Sequence, residues 1–466
     1  MGFTKPIEQF LFSNLLTKIH VFMYLKDIIR GDDVMHKKLT KRFFIFIVSL
    51  ALIGSMAACG SQDTGSTTGS TASTGASAGS SASAGTSTGS STYENTVTAD
   101  KVSATVSATS GGAIDASDLF SDRDLNQTAD LSDATTYTVS DGQDIEITTA
   151  GVYVLTGSAS NVTVSVNVAD DEKVQLVLDG VSITNDSAPA IFVKNADKVF
   201  VTTTQGSENS LTVSGSFTKT DDTNTDAVIF SKDDLVVNGL GTLNISSTEN
   251  GISCKDDLKV TGGTINLSVA DAALEANESI AIADGSITVS ASNDALHAEN
   301  DDDNSTGYIY ICGGTLNLTS ADDGVHATTI VEIDGGTLNI TAAEGIEGTW
   351  IQINDGTVSI TASDDGINAA NKSSSYSAKV EVNGGTTTVD MGQGDTDGVD
   401  SNGDIIINGG TISVTGQSTF DYDGTGTING GTVICNGEEV TTLPNQMMGG
   451  GKGGRGGMDG GPGGWH

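Results

Sequence analysis

Carboxylates recur along this sequence at the spacing of a structural repeat. Asp271, Asn293-Asp294, Asp322-Asp323, Glu344, Asp364-Asp365, and Asp395 with Asp397 each stand at a tight corner. If successive repeats stack as strands, these side chains lie one above another about 4.8 Å apart. Bare carboxylates that close repel one another. A Ca²⁺ ion held by oxygens from adjacent repeats would remove that repulsion. Asp271, Asp294, Asp322, Asp323, Glu344, Asp364, Asp365, Asp395 and Asp397 are therefore the candidate calcium ligands. Asp and Asn also favour corners with no ion present, because they bond their own backbone. The column Asn354, Asn383, Asn408 and Asn429 is expected to be such a stacked turn ladder. The double-acid corners carry more charge than a turn requires.

A second column follows the corners and is expected to face outward: Glu275, His297, His326, Glu347, Asn368, Asp400 and Asp423. Such a row could grip sugar hydroxyls or a transition metal, or be plain surface. Aromatic residues make up only 5% of the chain, so their placement is informative. Aligned repeats put Tyr308, Ile330 and Trp350 in one outward column with Tyr310 beside it. An exposed aromatic stripe complements the flat C–H face of a pyranose, although the same side chains could instead lie under a loop. On the first reading Tyr308, Tyr310 and Trp350 stack on sugar while His326 and Glu347 supply hydrogen bonds. Two insertions, Glu299 to Thr306 and Ala370 to Ser377, leave the same corner and are expected to wall the stripe. The run Asp302 to Gly307 has the first half of an EF-hand-like loop, but Gly313 stands where the bidentate Glu would be needed.

The elements that must position these residues are short strands. A Gly-Thr or Gly-Ser step followed by alternating apolar residues recurs with its hydroxyl at Thr242, Thr264, Ser286, Thr315, Thr337, Thr357, Thr386, Thr411 and Thr432. A period of about 22 residues indicates a solenoid. Each unit holds three period-two stretches separated by Gly, Asn and Asp corners, and none has a helical segment. The expected fold is all-β, a right-handed parallel β-helix over residues 136–440. Val325, Ala327, Val331, Ile333, Leu338 and Ile340 are the inward residues of one turn. Residues 94–135 are expected to include an N-terminal cap, because an open solenoid end exposes core and strand edges. Cys254 and Cys435 fall in inward columns and read as small core fillers.

The 466-residue chain has 60 Asp and Glu against 21 Lys and Arg, a formal charge of -39. It lacks the basic footprint that a nucleic-acid binder needs. Met35 to Arg42 is a basic n-region, Phe43 to Leu52 an apolar h-region, and Met56-Ala57-Ala58-Cys59-Gly60 closes the segment. That closing motif resembles the lipobox of bacterial lipoproteins, with Met56 where Leu is usual. It implies a signal segment over residues 1–58, with translation starting at Met35, and a lipid on Cys59. Residues 59–93 form a Gly/Ser/Thr tether and residues 441–466 a Gly-rich tail, neither with apolar content to bury. The expected product is exported, held by Cys59 on the outer face of a bacterial cell membrane, and monomeric.

The runs Glu172 to Gly180, Val193 to Phe200, Glu344-Gly345-Ile346-Glu347-Gly348, Asp364 to Ala369 and Asp421-Tyr422-Asp423-Gly424 carry a family resemblance. In their order over residues 117–440 they resemble the bacterial carbohydrate-binding β-helix family related to polysaccharide (pectate) lyases. The resemblance implies a calcium-loaded parallel β-helix that binds cellulose or acidic, pectin-type glycans. Ala273 and Ala295 depart from it, standing where the family corner has Gly. Three functions remain open on the residues: a non-catalytic polysaccharide binder, a calcium-dependent lyase of uronate polymers, and a structural surface spacer. A lyase needs a Lys or Arg base. Lys372 and Lys379 are the basic residues near the aromatic stripe, with Lys255 and Lys259 farther toward the N-terminus.

Overall fold

The computed structural model describes residues 102–106, 112–219, 223–300, 302–392 and 396–446. These all fall within one compact unit, Glu94–His466. Among them strands predominate and helix is almost lacking, and each regular repeat contributes three strands. Asn250–Cys254, Asp257–Val260 and Thr264–Val269 are followed by Leu274–Ala276, Ser279–Ile282 and Ser286–Ala291, then Leu296–Ala298, Tyr308–Ile311 and Thr315–Thr319. Each strand pairs in parallel with its counterpart one repeat later. The first strands of the repeats form a 12-stranded sheet; the second and third strands belong to a 24-stranded sheet. One long strand, Lys173–Asn185, joins the latter two sets, since it pairs with both Lys198–Thr203 and Glu208–Val213. The last strand, Glu438–Val440, turns back antiparallel on Thr432–Cys435.

The sequence builds these strands because Val, Ile and Thr suit a pleated surface, and alternation sends every second side chain inward. Inward residues stack in register, as in Ile252, Leu274, Leu296, Val325, Ile346, Ile367, Val399 and Phe420, all with 0% exposure. Burial of each such side chain contributes roughly 1.5–3 kcal/mol. Cys254 pairs with Ala276 in an inward position and is fully buried. The corner Asn residues also stack: the Asn383 amide donates to Asn354 at 2.7 Å, Asn408 to Asn383 at 2.8 Å and Asn429 to Asn408 at 2.8 Å. The Gly of the Gly-Thr step has a conformational reason. Gly336 and Gly356 have φ near +90 and +97, where a side chain is strained.

Residues 112–127 run along the outer face of the second strands. Ala113 N–H donates to Gln352 at 2.8 Å and Ile114 N–H to Glu332 at 2.6 Å. Farther along, Lys259 Nζ donates to the Leu119 carbonyl. The Arg123 guanidinium sits 4.4 Å over the Phe200 ring, and Gln127 donates to the Thr261 carbonyl at 2.8 Å. Asp124 is buried between Lys198 at 3.3 Å and Lys259 at 3.6 Å. Burial works to raise its carboxyl, but the Ser121 N–H and the two lysines bring it below the ordinary range. The segment is thus a strap anchored at both ends.

Close stacking leaves no room for a side chain on Gly345, next to the corner residue Glu344. A Cβ on Gly345 would lie 2.3 Å from the Gly366 carbonyl oxygen and 2.4 Å from Ile360 Cγ2. Gly345→Ala should cost about 1–3 kcal/mol and lower the melting temperature. An unchanged melting curve would show that neighbouring repeats can part there.

Candidate functional site

The outer face of the 12-stranded sheet carries one continuous column. Register places Phe230, Ser253, Glu275, His297, His326, Glu347, Asn368, Asp400 and Asp421 on successive strands. The sequence reading ended this column at Asp423; the register corrects that to Asp421. Asp423 follows the strand Ser418–Tyr422, beyond its pairing with Asp397–Ser401.

The rings of His297 and His326 stack with centroids 4.6 Å apart and planes 15° from parallel. The carboxylate three residues earlier reaches the Nδ1 of each ring: Asp294 for His297, and Asp323 at 2.6 Å for His326. Glu347 Oε2 lies 3.2 Å from His326 Nδ1 and 2.7 Å from Lys372 Nζ. Burial lowers the His297 imidazole, but the Asp294 hydrogen bond and charge raise it above its ordinary value. His326 moves the other way, lowered by burial, His297 and Lys372.

The corner carboxylates gather beside this column. Ligand oxygens of Asp294, Asp322 and Asp323 lie within 4.8 Å of one another. The Asp323 carboxyl is pushed up to about 7 by burial and then by Asp294, Glu344 and Asp322. Asp365 accepts from the Asp397 N–H at 3.1 Å and is likewise pushed to about 7, by burial and by Asp400, Glu344 and Asp397. Asp400 reaches about 6 through burial, Asp397 and Asp421. Glu344, raised mainly by burial, accepts from Asn368 at 3.0 Å. Asp271 accepts from Asn293 at 3.0 Å, and Asp364 is exposed. Asp397 Oδ1 is buried without a hydrogen-bond partner. Crowded oxygens, one of them buried and unsatisfied, fit a hard cation such as Ca²⁺. Asp395 and Cys59 lie outside the described residues.

The aromatic stripe differs from expectation in two respects. Tyr308, Ile330 and Trp350 do share a column, which continues to Lys379. Tyr308 and Trp350 are half-buried, whereas Ile330 between them is buried. Tyr310, expected to meet sugar, is 0% exposed: it faces out of the repeat core but lies under the strap. Its hydroxyl donates to Asp334 at 2.9 Å, and Phe120 packs 6.4 Å from its ring. It is therefore a buried docking residue. The two insertions are in contact with each other, so they do not stand as separate walls. Ser373 Oγ donates to the Asn304 carbonyl at 2.6 Å, and its N–H donates to Thr349. The second insertion brings Tyr376, 38% exposed, to 6.2 Å from Trp350. Lys379 Nζ sits 3.7 Å over the Trp350 ring. Sequence reasoning missed Tyr376 as a partner for Trp350; its signal was an aromatic in an otherwise Ser-rich insertion. His326 and Glu347, expected to meet sugar, are each 9% exposed and engaged with Asp323 and Lys372.

A repetitive, predominantly parallel β protein with a half-buried aromatic pair and an acidic ladder is the class defined by this geometry. Comparison identifies the family: the sequence pattern of the carbohydrate-binding domain-containing proteins matches residues 141–395 and again 344–442, and the chain belongs to that family. A carbohydrate-binding domain-containing protein of Acetivibrio thermocellus is 35% identical over 124 residues, 26% of this chain. The match spans only 43% of that relative's length. A solved structure of a polysaccharide lyase-like protein from C. thermocellum, a gadolinium derivative, is 26% identical. It covers 46% of this chain and 93% of its own, with a TM-score of 0.43.

Under the strap, Glu332 is pushed up to about 7 by burial, against the opposing Ile114 N–H and with the aid of Asp334. Its ordinary value is 4.5, so the folded chain binds the extra proton between about pH 4.5 and 7. The stability it contributes is fully present below that window and falls as pH rises through it. Glu332→Gln should flatten the dependence of melting temperature on pH between about pH 5 and about pH 8 relative to the parent. Parallel curves for the two proteins would remove Glu332 as the cause.

Proposed function

We propose that this chain is an exported, lipid-anchored protein that binds polysaccharide with the help of Ca²⁺ and does not cleave it. In this reading the repeats close into a right-handed parallel β-helix. The observation that carries it is the crowded ladder of corner carboxylates, with Asp397 Oδ1 buried and unsatisfied, on a chain of a carbohydrate-binding family that also presents the Trp350–Tyr376 pair. Asp294, Asp322 and Asp323 would hold one cation, and Asp365, Asp397 and Asp400, farther along, a second. Calcium would neutralise the ladder and offer coordination to carboxylates or hydroxyls of the glycan. Trp350 and Tyr376 would supply the stacking surface. Acidic, pectin-type glycans suit a cation-bridged contact, and cellulose suits stacking alone.

Binding is favoured over β-elimination by the state of the lysines. A base must be free to take a proton. Lys372 lies 2.7 Å from Glu347, Lys255 2.8 Å from Glu275 and Lys379 3.5 Å from Glu381, while Lys259 is buried under the strap. Each Nζ is already engaged by a carboxylate or a backbone carbonyl.

Pull-down on cellulose, pectate and xylan tests the reading. Retention on at least one polymer should be lost in excess EGTA, with no ultraviolet absorbance from unsaturated products. Tyr376→Ala should weaken retention several-fold while the melting temperature barely moves, because the ring is 38% exposed. EGTA should also lower the melting temperature, since it removes a ligand bound only by the native state. Retention on none of the polymers would leave the spacer reading in its place. Cys59→Ala should shift the protein out of the membrane fraction or leave it unprocessed; a processed, still membrane-bound variant would overturn the anchor.

A further inference from the structure

The hydroxyls of the Gly-Thr steps belong to a face outside the acidic ladder and the aromatic pair. Three outward positions on each of eight strands stack in columns that run from Thr242 to Thr411, from Asn244 to Ser413 and from Ser246 to Thr415. The register holds from strand to strand without a shift, so the columns are continuous. None of these side chains is buried, and alternation turns the residues between them into the core. All are Ser, Thr or Asn except Asp390. That single charge stands on a chain of formal charge -39, and a soluble protein surface typically carries roughly 25–35% charged residues. Strand propensity accounts for Thr, but strands ordinarily disfavour Asn. Asn266 donates to Asn244, and Asn339 to Asn317, at 2.9 Å, which stiffens the middle column. The other strands present different outer faces: the first strands carry the acidic and imidazole column, and residues 112–127 cover part of the second.

We propose that this face binds the ordered surface of a neutral, insoluble glucan, as a second binding surface separate from the calcium corners. Resting on the carbohydrate-binding reading, it adds that neutral and acidic polymers take different faces. The charge distribution selects the partner. A strip without a base has nothing to pair with a uronate, and Asp390 would repel one. The spacing selects its form. Steps of ~4.8 Å between strands and about 6.7 Å between alternate residues make a lattice of donors and acceptors roughly 34 Å long and 13 Å wide. A single hydroxyl contact contributes little, because it replaces a bond to water. Many contacts made together between two rigid, repeating surfaces add up without a fresh ordering cost for each. The face therefore needs an ordered polymer surface, not a short soluble oligosaccharide, and it needs no cation.

The intact protein is applied to microcrystalline cellulose in excess EGTA and, separately, to pectate in Ca²⁺. Retention on cellulose should persist in EGTA and in high salt, and soluble cello-oligosaccharide should not compete. Thr319→Glu combined with Thr361→Glu puts two carboxylates in the middle of the face and should weaken cellulose retention at least about tenfold. Thr319→Lys combined with Thr361→Lys changes the net charge in the opposite direction and should weaken it as much. Both double variants should keep the melting temperature and the pectate retention of the parent, because these side chains are exposed and two strands apart. Cellulose retention unchanged in both variants, cellulose retention lost in EGTA, or adsorption of the parent to ice in place of cellulose would each overturn the proposal. A parent retained on pectate but not on cellulose overturns it alone and leaves the calcium-assisted reading standing. Retention on no polysaccharide overturns both.

Discussion

In-register parallel stacking is the constraint from which the rest of this structure follows. With about 4.8 Å between successive strands, a residue type repeated in sequence becomes a column in space. The effect depends on the chemistry of the column. Repeated Ile, Leu and Val make continuous apolar ladders whose members are fully buried. Repeated Asn makes an amide ladder in which each side chain donates to the one before it. Repeated Asp and Glu make a column of like charge, which burial and mutual repulsion drive toward the protonated form at Asp323, Asp365 and Asp400.

The acidic face is not uniform along its length. Where His297 and His326 occur, imidazoles and Lys372 temper the negative charge and tie the carboxylates into a hydrogen-bonded cluster. Past Asn368 no basic group enters the column, and the neighbours raising Asp400 are all carboxylates. The same backbone therefore presents a mixed nitrogen and oxygen environment in one stretch and an all-oxygen one in the next.

The strap and the insertions decide which parts of the outer surface remain accessible. Residues 112–127 cover the second strands and bury Tyr310 and Glu332. The two insertions meet through Ser373 and Asn304, and one of them carries Tyr376 to Trp350. Both devices join residues far apart in the chain, 218 positions in the contact of Ile114 with Glu332. The exposed aromatic ring is consequently Tyr376, packed against half-buried Trp350, not a stripe along one column.

The repeat period, the all-β content, the inward residues and most of the acidic column were legible from the sequence alone. Period-two alternation and positive-φ glycines are local properties, and stacking only copies them from one repeat to the next. The placement of Tyr308 and Trp350 in one column followed from the same arithmetic. What lay beyond it was whatever sits on top of the repeats. Tyr310 has the alternation of an outward residue, and nothing local announces that a segment nearly two hundred residues earlier will cover it. The convergence of Tyr376 on Trp350 likewise depends on how irregular loops fold back. The ladder was decided by repetition, whereas exposure and the pairing of loop residues were decided by tertiary contacts that obey no period.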